Sequence, residues 1–478
     1  MEKEAILNQI FNNIRDIQSE SVFIRDTKSG KDYSFGTFFS MVQQIGNKLE
    51  GKYDEIIVCK ENSFELCLLL FVCLIKNITV IPVDPRKENK ELQEVKKNHL
   101  GAGWISDADK FDFKSIEQQT VSIIDLFEKV DFKKNFLITY TSGTTGISKG
   151  VIHSAGNLFI NAYIFGKSLG LQECCLAHIM PMTYMAGILN SLILPFVMKG
   201  KIVIFPRFEI KTMGIFWKNI DKYSINMIWM SPTMLNMISC YDKKGSKANY
   251  IRDNNVVFCV GTAPLSQNVK EKFERLFQTR VYQSYGLTEL LLLTTENLET
   301  GRNINSVGKP IEGVQMKLED NELLVKVPWG FKGYTNEDSE ICFSGLYFRS
   351  GDLAAFQEGN LFISGRKKEM IIRGGIKINP REIEKVIYSV PGVEECRVDA
   401  VIVDDEEKIC CYLVSIGSFT KCVEKIKQEI ACVLGSLYSI DYFIQMRELP
   451  KNLNGKIDSA RLRQYSDNVI KNGEQYDY

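Results

Sequence analysis

Between about residue 20 and residue 350, short apolar runs rich in β-branched and aromatic residues alternate with helical patterns. "DEIIVCK" (54–60) reads as a strand, "SFELCLLLFVCLIKN" (63–77) as a helix buried on all sides, and "ITVIPVDP" (78–85) as the next strand, ended by its prolines. The alternation resumes in "NFLITY" (135–140), "GKIVIFP" (200–206), "NMIWMSP" (226–232) and "NVVFCVG" (255–261). Strands alternating with helices predict parallel sheets covered by helices on both faces. "GVQMKLEDNELLVKV" (313–327) has a period of two around Asp320-Asn321, the pattern of an antiparallel hairpin.

The pattern changes near 365. "GRKKEMIIRGGIKINP" is dense in charge and glycine, and Pro380 then opens a helix, "PREIEKVIYSV". Two strands, "CRVDAVIVDD" and "KICCYLVSI", and a helix near 420–435 follow, enough for a small α+β domain. The expected organisation is an α/β fold in two parts. Residues 1–364 form a large N-terminal domain of parallel-rich sheets covered by helices, with a small β-barrel-like subdomain. Residues 365–478 form a small mobile C-terminal α+β domain, with a hinge near Lys368. The active site is expected between the two.

Composition narrows the class. A chain of 478 residues is too long for one core. Lys+Arg and Asp+Glu are equal at 59 each, which argues against a dedicated nucleic-acid or anionic-membrane binder. Thirteen cysteines include no Cys-x-x-Cys pair, and three histidines offer few metal ligands, so reduced thiols in a cytoplasmic protein are expected. The start, "MEKEAILNQIFNN", has no cleavable signal pattern. The most lipid-like stretch, Leu66 to Ile75, is about half the ~20 residues a membrane span needs.

"YTSGTTGISKG" (140–150) follows an apolar strand and offers only one plain aliphatic, Ile147. Gly143 and Gly146 let the backbone approach a ligand. Successive N–H groups with the hydroxyls of Thr141, Ser142, Thr144 and Thr145 can bind phosphate oxygens, and Lys149 adds a full charge. The spacing is not that of a Walker A loop, and taken alone a Gly/Ser/Thr surface loop is an alternative.

This stretch, together with further motifs in the same order, resembles the adenylate-forming superfamily of acyl- and aryl-CoA synthetases, luciferases and carrier-protein adenylation domains. The further matches are "GTAPLS" (261–266), "YQSYGLTE" (282–289), "SVGKPIEGV" (306–314), "YFRSGDL" (347–353), the hinge segment 365–384 and "LPKNLNGKID" (449–458). The resemblance extends from about residue 33 to 463. It implies that a carboxylate attacks the α-phosphate of ATP, expels pyrophosphate, and is then passed to the thiol of CoA or of a carrier-protein phosphopantetheine.

Each motif then has an implied task. The 141–149 loop holds the β- and γ-phosphates, with Lys149 among the catalytic groups. Thr288 bonds the α-phosphate, and Glu289 is a ligand for the Mg²⁺ that accompanies ATP; alone, the pair would read as helix-capping residues. Thr262, Ala263 and Pro264 lie on the adenine side with Gln283, Ser284, Tyr285 and Gly286; Tyr285 stacks and Gln283 bonds the base edge, unless both simply pack. Asp352 accepts the ribose hydroxyls, with Arg366 beside it, although an isolated Ser-Gly-Asp is more often a turn. Lys456, by default a surface charge, is implied to bridge the acyl carboxylate and the α-phosphate. Tyr184 and Gly261 fall on the acyl side. Gly374 and Gly375, otherwise a plain turn, leave room for a pantetheine arm, and Lys368 takes the hinge position.

Three departures stand out. Ser148 replaces a proline, which removes stiffness and no phosphate donor. Ser350 replaces a threonine and keeps the hydroxyl. Tyr184 stands where many CoA ligases have histidine. The run 290–295 is apolar and reads equally as a buried helix or as part of an apolar acyl pocket. "MPMTYMAGILN" (180–190) carries no acid that could hold an ammonium, so an apolar or aromatic acid is preferred over an α-amino acid. Loading of a carrier protein, and a nucleotide-binding homologue without catalysis, are the alternatives to a CoA ligase.

Overall fold

The strand runs from Val22 to Pro310, with Gly333–Tyr334, form two sheets. Six strands of the larger sheet lie parallel, in the order Val281–Leu287, Val257–Val260, Met227–Met230, Cys175–His178, Lys201–Ile204 and Val22–Asp26. Antiparallel strands flank them, Lys31–Ser34 at one edge and Leu291–Thr295 then Lys309–Pro310 at the other. In the second sheet Gly103–Ser106, Glu55–Cys59, Thr79–Val83 and Asn135–Thr141 run parallel, and Lys149–Ser154 and Gly333–Tyr334 complete it antiparallel. The computed structural model describes residues 3–109, 121–141, 149–298, 306–335, 342–403, 406–452 and 456–472.

Helix Phe64–Ile75 shows why the sheets are covered as they are. Every residue but Glu65 is buried, as an all-apolar helix requires. One core joins it to helix Ala155–Leu169 and to side chains of both sheets, including Phe23, Val58, Val80 and Trp229. Serines start both helices: Ser63 Oγ accepts the Leu66 N–H, and Ser154 Oγ accepts the Asn157 N–H, each at 3.2 Å. None of the described helices is long and apolar enough to cross a membrane. All thirteen cysteines are free thiols, most of them buried.

Packing separates the chain into two compact units. One comprises Met1–Met316 and Val325–Phe348, the other Lys317–Leu324 and Arg349–Tyr478. The period-two segment is a hairpin of Gln315–Glu319 and Glu322–Lys326, and Asp320 and Asn321 take the left-handed conformation its two-residue turn needs (φ +51° and +63°). In the second unit, strands Val393–Val403, Glu406–Ser415 and Tyr442–Gln445 form a sheet. Helices Pro380–Ser389 and Phe419–Val433 share one core with this sheet through Ile383, Ile387, Ile426 and Ile430. Helix Ser459–Asn472 contributes Leu462 to a separate cluster with Tyr412 and Ile444. The architecture is therefore α/β with a small α+β second part.

Candidate active site

The glycine-rich stretch is flanked by two paired strands. Asn135–Thr141 and Lys149–Ser154 pair antiparallel with Thr141 opposite Lys149, so the ladder closes the loop at its base. Ser142, Gly143, Thr144, Thr145, Gly146 and Ser148 lie outside the described residues. Lys149 extends its Nζ over the Tyr334 ring, 5.4 Å from the centroid. Tyr334 sits opposite Val151 on the next strand, and its hydroxyl donates to Glu289 Oε1 at 2.9 Å. Burial and the neighbouring Glu289 charge push the phenol pKa well up, so the hydroxyl stays protonated as a donor. One ring thus touches both the cation that ends the loop and the carboxylate after Thr288.

Thr288 and Glu289 do not begin a helix. They occupy the tight turn between antiparallel strands Val281–Leu287 and Leu291–Thr295. The apolar run that follows is a buried strand, which replaces the helix considered for it. Only glycine fits at 286, because a Cβ there would lie 2.3 Å from the Leu291 carbonyl oxygen. His153 is fully buried and its Nε2–H donates to Thr288 O at 2.7 Å. Burial lowers the His153 pKa to about 4, which keeps the ring neutral. The Phe331 N–H donates to Glu289 O at 2.9 Å, so the turn is held from two directions.

The donor set suits Mg²⁺ bound with a substrate. Among the described residues no three His, Cys, Asp or Glu side chains gather as a metal cage. Mg²⁺ commonly takes one or two carboxylates and completes its shell with phosphates and water, and Glu289 is half-buried with Oε1 already oriented by Tyr334.

The segments expected on the adenine side lie just after strand Val257–Val260 and within the adjacent parallel strand Val281–Leu287, toward the carboxyl ends where open α/β sheets bind ligands. Gly261, Thr262, Ala263 and Pro264 follow Val257–Val260, and Thr262 is held at φ +74°, an uncommon conformation for a β-branched residue. A Cβ on Gly261 would come within 3.0 Å of Ser284 Oγ. Gln283 is buried with its Oε1 accepting from Lys270 Nζ at 2.9 Å, and its backbone N–H donates to Glu296 at 2.8 Å. Tyr285 is half-buried, and its N–H donates to Thr294 Oγ1.

The segment around Tyr184, expected on the acyl side, is fastened by a residue far upstream. Asn62 Nδ2 donates to Met180 O at 2.7 Å, and Asn62 Oδ1 accepts the Met182 N–H at 2.8 Å. Tyr184 follows, half-buried, at the start of helix Met185–Ile188. Gly187 packs so tightly that a Cβ would stand 1.9 Å from Pro181 O, and its carbonyl accepts from buried His178 at 2.9 Å.

The second unit holds its own group. Ser350 Oγ donates to Leu323 O at 2.6 Å and accepts the Asp352 N–H at 3.0 Å, so serine does the anchoring that the hydroxyl at this place allows. Asp352 is 3% exposed, stands opposite Arg366 in an antiparallel ladder, and accepts from Arg366 Nε at 2.7 Å. Lys368 is exposed in a one-turn segment, Lys367–Glu369. Glu369 is tied to Arg397 (3.2 Å) and Arg381 (3.7 Å). Burial would raise the Glu369 pKa, but these two guanidinium groups hold it below the usual range. Gly374 and Gly375 (φ +57° and +79°) make the two-residue turn between Ile371–Arg373 and Ile376–Ile378. Lys456 is half-buried; its N–H donates to Asn452 Oδ1 at 3.1 Å while its carbonyl accepts the Asn452 N–H at 2.8 Å, closing the lysine loop.

A family model described as AMP-binding enzyme matches residues 15–351, and one for the AMP-binding enzyme C-terminal domain matches residues 382–456. The chain belongs to the AMP-binding enzyme family. It is a ligase of the AMP-forming, adenylate-forming kind. The 2-succinylbenzoate–CoA ligase of Bacillus subtilis (strain 168) is 26% identical over 459 residues, 88% of this chain and 90% of that one. The mitochondrial malonate–CoA ligase ACSF3 of Xenopus laevis is 25% identical over 393 residues, 73% of this chain and 67% of that one. Among solved structures, the anthranilate CoA ligase AuaEII in complex with anthranoyl-AMP shares the fold with a TM-score of 0.84 and 17% identity, covering 98% of this chain and 100% of that one.

Three residues contact the expected site segments of this family member without having been visible in sequence. Tyr334 lies in "GFKGYTNED", where nothing marks it as a partner of Glu289, 45 positions upstream. His153 sits on an apolar strand, which suggests packing only. Asn62 was hidden as a polar residue before a helix. A buried polar residue in an otherwise apolar context was the one available signal for His153.

Proposed function

We propose that the chain joins a carboxylic acid to CoA in two steps. A carboxylate oxygen attacks the α-phosphorus of ATP, the bond to the β-phosphate oxygen breaks, and pyrophosphate leaves. A thiolate then attacks the acyl carbon, AMP leaves, and a thioester remains. The observation that carries this reading is Tyr334 between Lys149 and Glu289, with Thr288 fixed beside them by His153. That places a cation and a carboxylate within reach of one ring, which suits phosphates and their Mg²⁺.

In this reading the 141–149 loop and Lys149 hold the β- and γ-phosphates, Thr288 the α-phosphate, and Glu289 the Mg²⁺, which neutralises phosphate charge when bound. Tyr285 stacks on adenine. The buried Asp352, steadied by Arg366, accepts the ribose hydroxyls. Gln283 lends its side-chain amide N–H to the adenine edge, since its Oε1 is engaged by Lys270 and its backbone N–H by Glu296. Lys456 neutralises the charge that develops as carboxylate and α-phosphate approach. Lys368 is the pivot for the thiol step, and the Gly374-Gly375 turn the segment that the pantetheine arm passes.

The relatives are named for ligation of CoA to malonate and to 2-succinylbenzoate, which favours CoA as the thiol. The absence of an acid in 180–190 favours a substrate other than an α-amino acid. The test is acid-dependent exchange of labelled pyrophosphate into ATP over a panel of short-chain, aryl and dicarboxylic acids, then addition of CoA or a holo carrier protein. Exchange followed by acyl-CoA formation is expected, with Lys456→Ala slowing exchange at least ~100-fold while ATP still binds. Normal exchange in that variant would remove Lys456 from the chemistry.

A further inference from the structure

Three tryptophans are wholly buried. Trp217 Nε1–H donates to Asp242 Oδ2 at 2.9 Å, and Trp329 Nε1–H donates to Leu290 O at 3.0 Å. Trp229 is also 0% exposed, yet its Nε1–H meets no acceptor among the described residues. Native proteins seldom leave a buried donor unmatched, because the group has lost water and gained nothing in return.

The location of this donor is informative. Strand alternation turns Trp229 toward helix Ala155–Leu169, where its ring lies 5.6 Å from Phe165, while Ile228 and Met230 face the opposite core. Its nitrogen lies near the residue that follows the neighbouring parallel strand Val257–Val260: a Cβ built on Gly261 would lie 3.9 Å from it. Ser284 Oγ is 3.0 Å from the same point. Thr262, next in the chain, has a buried hydroxyl oxygen that also lacks a partner, and it holds a strained left-handed conformation. Such strain gathers where a loop is shaped for a ligand. An unmatched donor and a serine hydroxyl therefore lie beside Gly261, and the next residue along the chain carries a second unmatched hydroxyl.

We infer that Trp229 Nε1–H, supported by the Thr262 hydroxyl, receives an oxygen of the substrate that is remote from the carboxylate being activated. The substrate class is then a carboxylic acid bearing a second hydrogen-bond acceptor, such as a keto, ether or further carboxylate oxygen. A plain hydrocarbon acid would leave both groups unmatched. The inference rests on the ligase reading and narrows it, replacing an apolar pocket with one that has a polar end.

The test compares size-matched acids in pyrophosphate exchange with wild-type and Trp229→Phe protein, each acid bearing or lacking the second oxygen. Wild type should favour the oxygen-bearing member by about 10-fold or more in kcat/KM. Trp229→Phe, which keeps an aromatic ring and removes the donor, should bring the ratio to within about 3-fold, through the KM for acid and not for ATP. As a measurement independent of the variant's folding, the Trp229 indole signal of ¹⁵N-tryptophan-labelled wild type should shift on addition of the favoured acid with ATP. Equal exchange with both members of each pair, or an unmoved indole signal, overturns this inference alone. No exchange with any acid overturns the ligase reading and this inference with it.

Discussion

Tyr334→Phe removes one hydroxyl and leaves the ring beneath Lys149. The bond lost runs from a phenol to a carboxylate at 2.9 Å, with both residues half-buried. A hydrogen bond to a charged group contributes about 1.5–3 kcal/mol, and partial exposure reduces this to about 1–2 kcal/mol. At 1.4 kcal/mol per decade the expected loss is roughly 5- to 30-fold. It should appear where Glu289 meets Mg²⁺·ATP. Pyrophosphate exchange at fixed ATP should need more Mg²⁺ for half-maximal rate, and calorimetry should show weaker Mg²⁺·ATP binding in the absence of acid. Thiol transfer from a preformed acyl-adenylate should be unchanged. Tyr334→Leu also removes the face under Lys149 and should lose a further ~2- to 5-fold, the worth of a half-exposed cation–π contact of about 0.5–1 kcal/mol. An unchanged Mg²⁺ requirement together with unchanged Mg²⁺·ATP affinity in Tyr334→Phe would refute the idea that this hydroxyl places Glu289.

Asp352→Asn keeps the shape but removes the charge that Arg366 pairs with and that the proposed ribose contact uses, so the KM for ATP should rise about 10-fold with little change in the KM for acid, measured by initial rates. His153 and His178 are buried neutral, with pKa values lowered from 6.5 to about 4. The unfolded chain therefore binds more protons than the folded one between these values. The stability the pair contributes is complete above pH 6.5 and is lost as pH falls toward 4, by about 2 kcal/mol per histidine at pH 5. Urea unfolding at pH 7 and pH 5 measures it, and a double variant with uncharged residues at both positions should flatten that pH dependence.

Much of the fold was legible because its strands and helices carry their own periodicity. "SFELCLLLFVCLIKN" became a helix with all but one residue buried, and the Asp320-Asn321 turn formed where the pattern placed it. Segments whose conformation depends on neighbours were not legible. "GLTELLLLTT" read equally as a buried helix or as part of an acyl pocket, and the close approach of Gly286 to Leu291 and pairing with Val281–Leu287 make it a turn and a strand. Assignment of Lys317–Leu324 to the second unit is likewise a matter of packing that chain order cannot express. The site followed the same division. Motifs marked Thr288, Glu289, Asp352 and Arg366, whereas Tyr334, His153 and Asn62 act through contacts with residues 45, 135 and about 120 positions away. Trp229 looked like any core aromatic, since an unmatched donor is a property of its surroundings.

The pairing of Thr141 with Lys149 also divides the hairpin into two zones of unequal tolerance to changes in length. A residue inserted or deleted within 142–148 leaves that pair, and everything beyond it, in register. One inserted after Lys149 moves each following side chain to the other face of the strand. It would bring His153 out of its buried place beneath Thr288 and exchange the sides of Val151 and Ile152. Libraries that vary the loop's length can therefore be built between the two ends of the ladder, whereas the six residues from Lys149 to Ser154 have to be kept as an unbroken ruler.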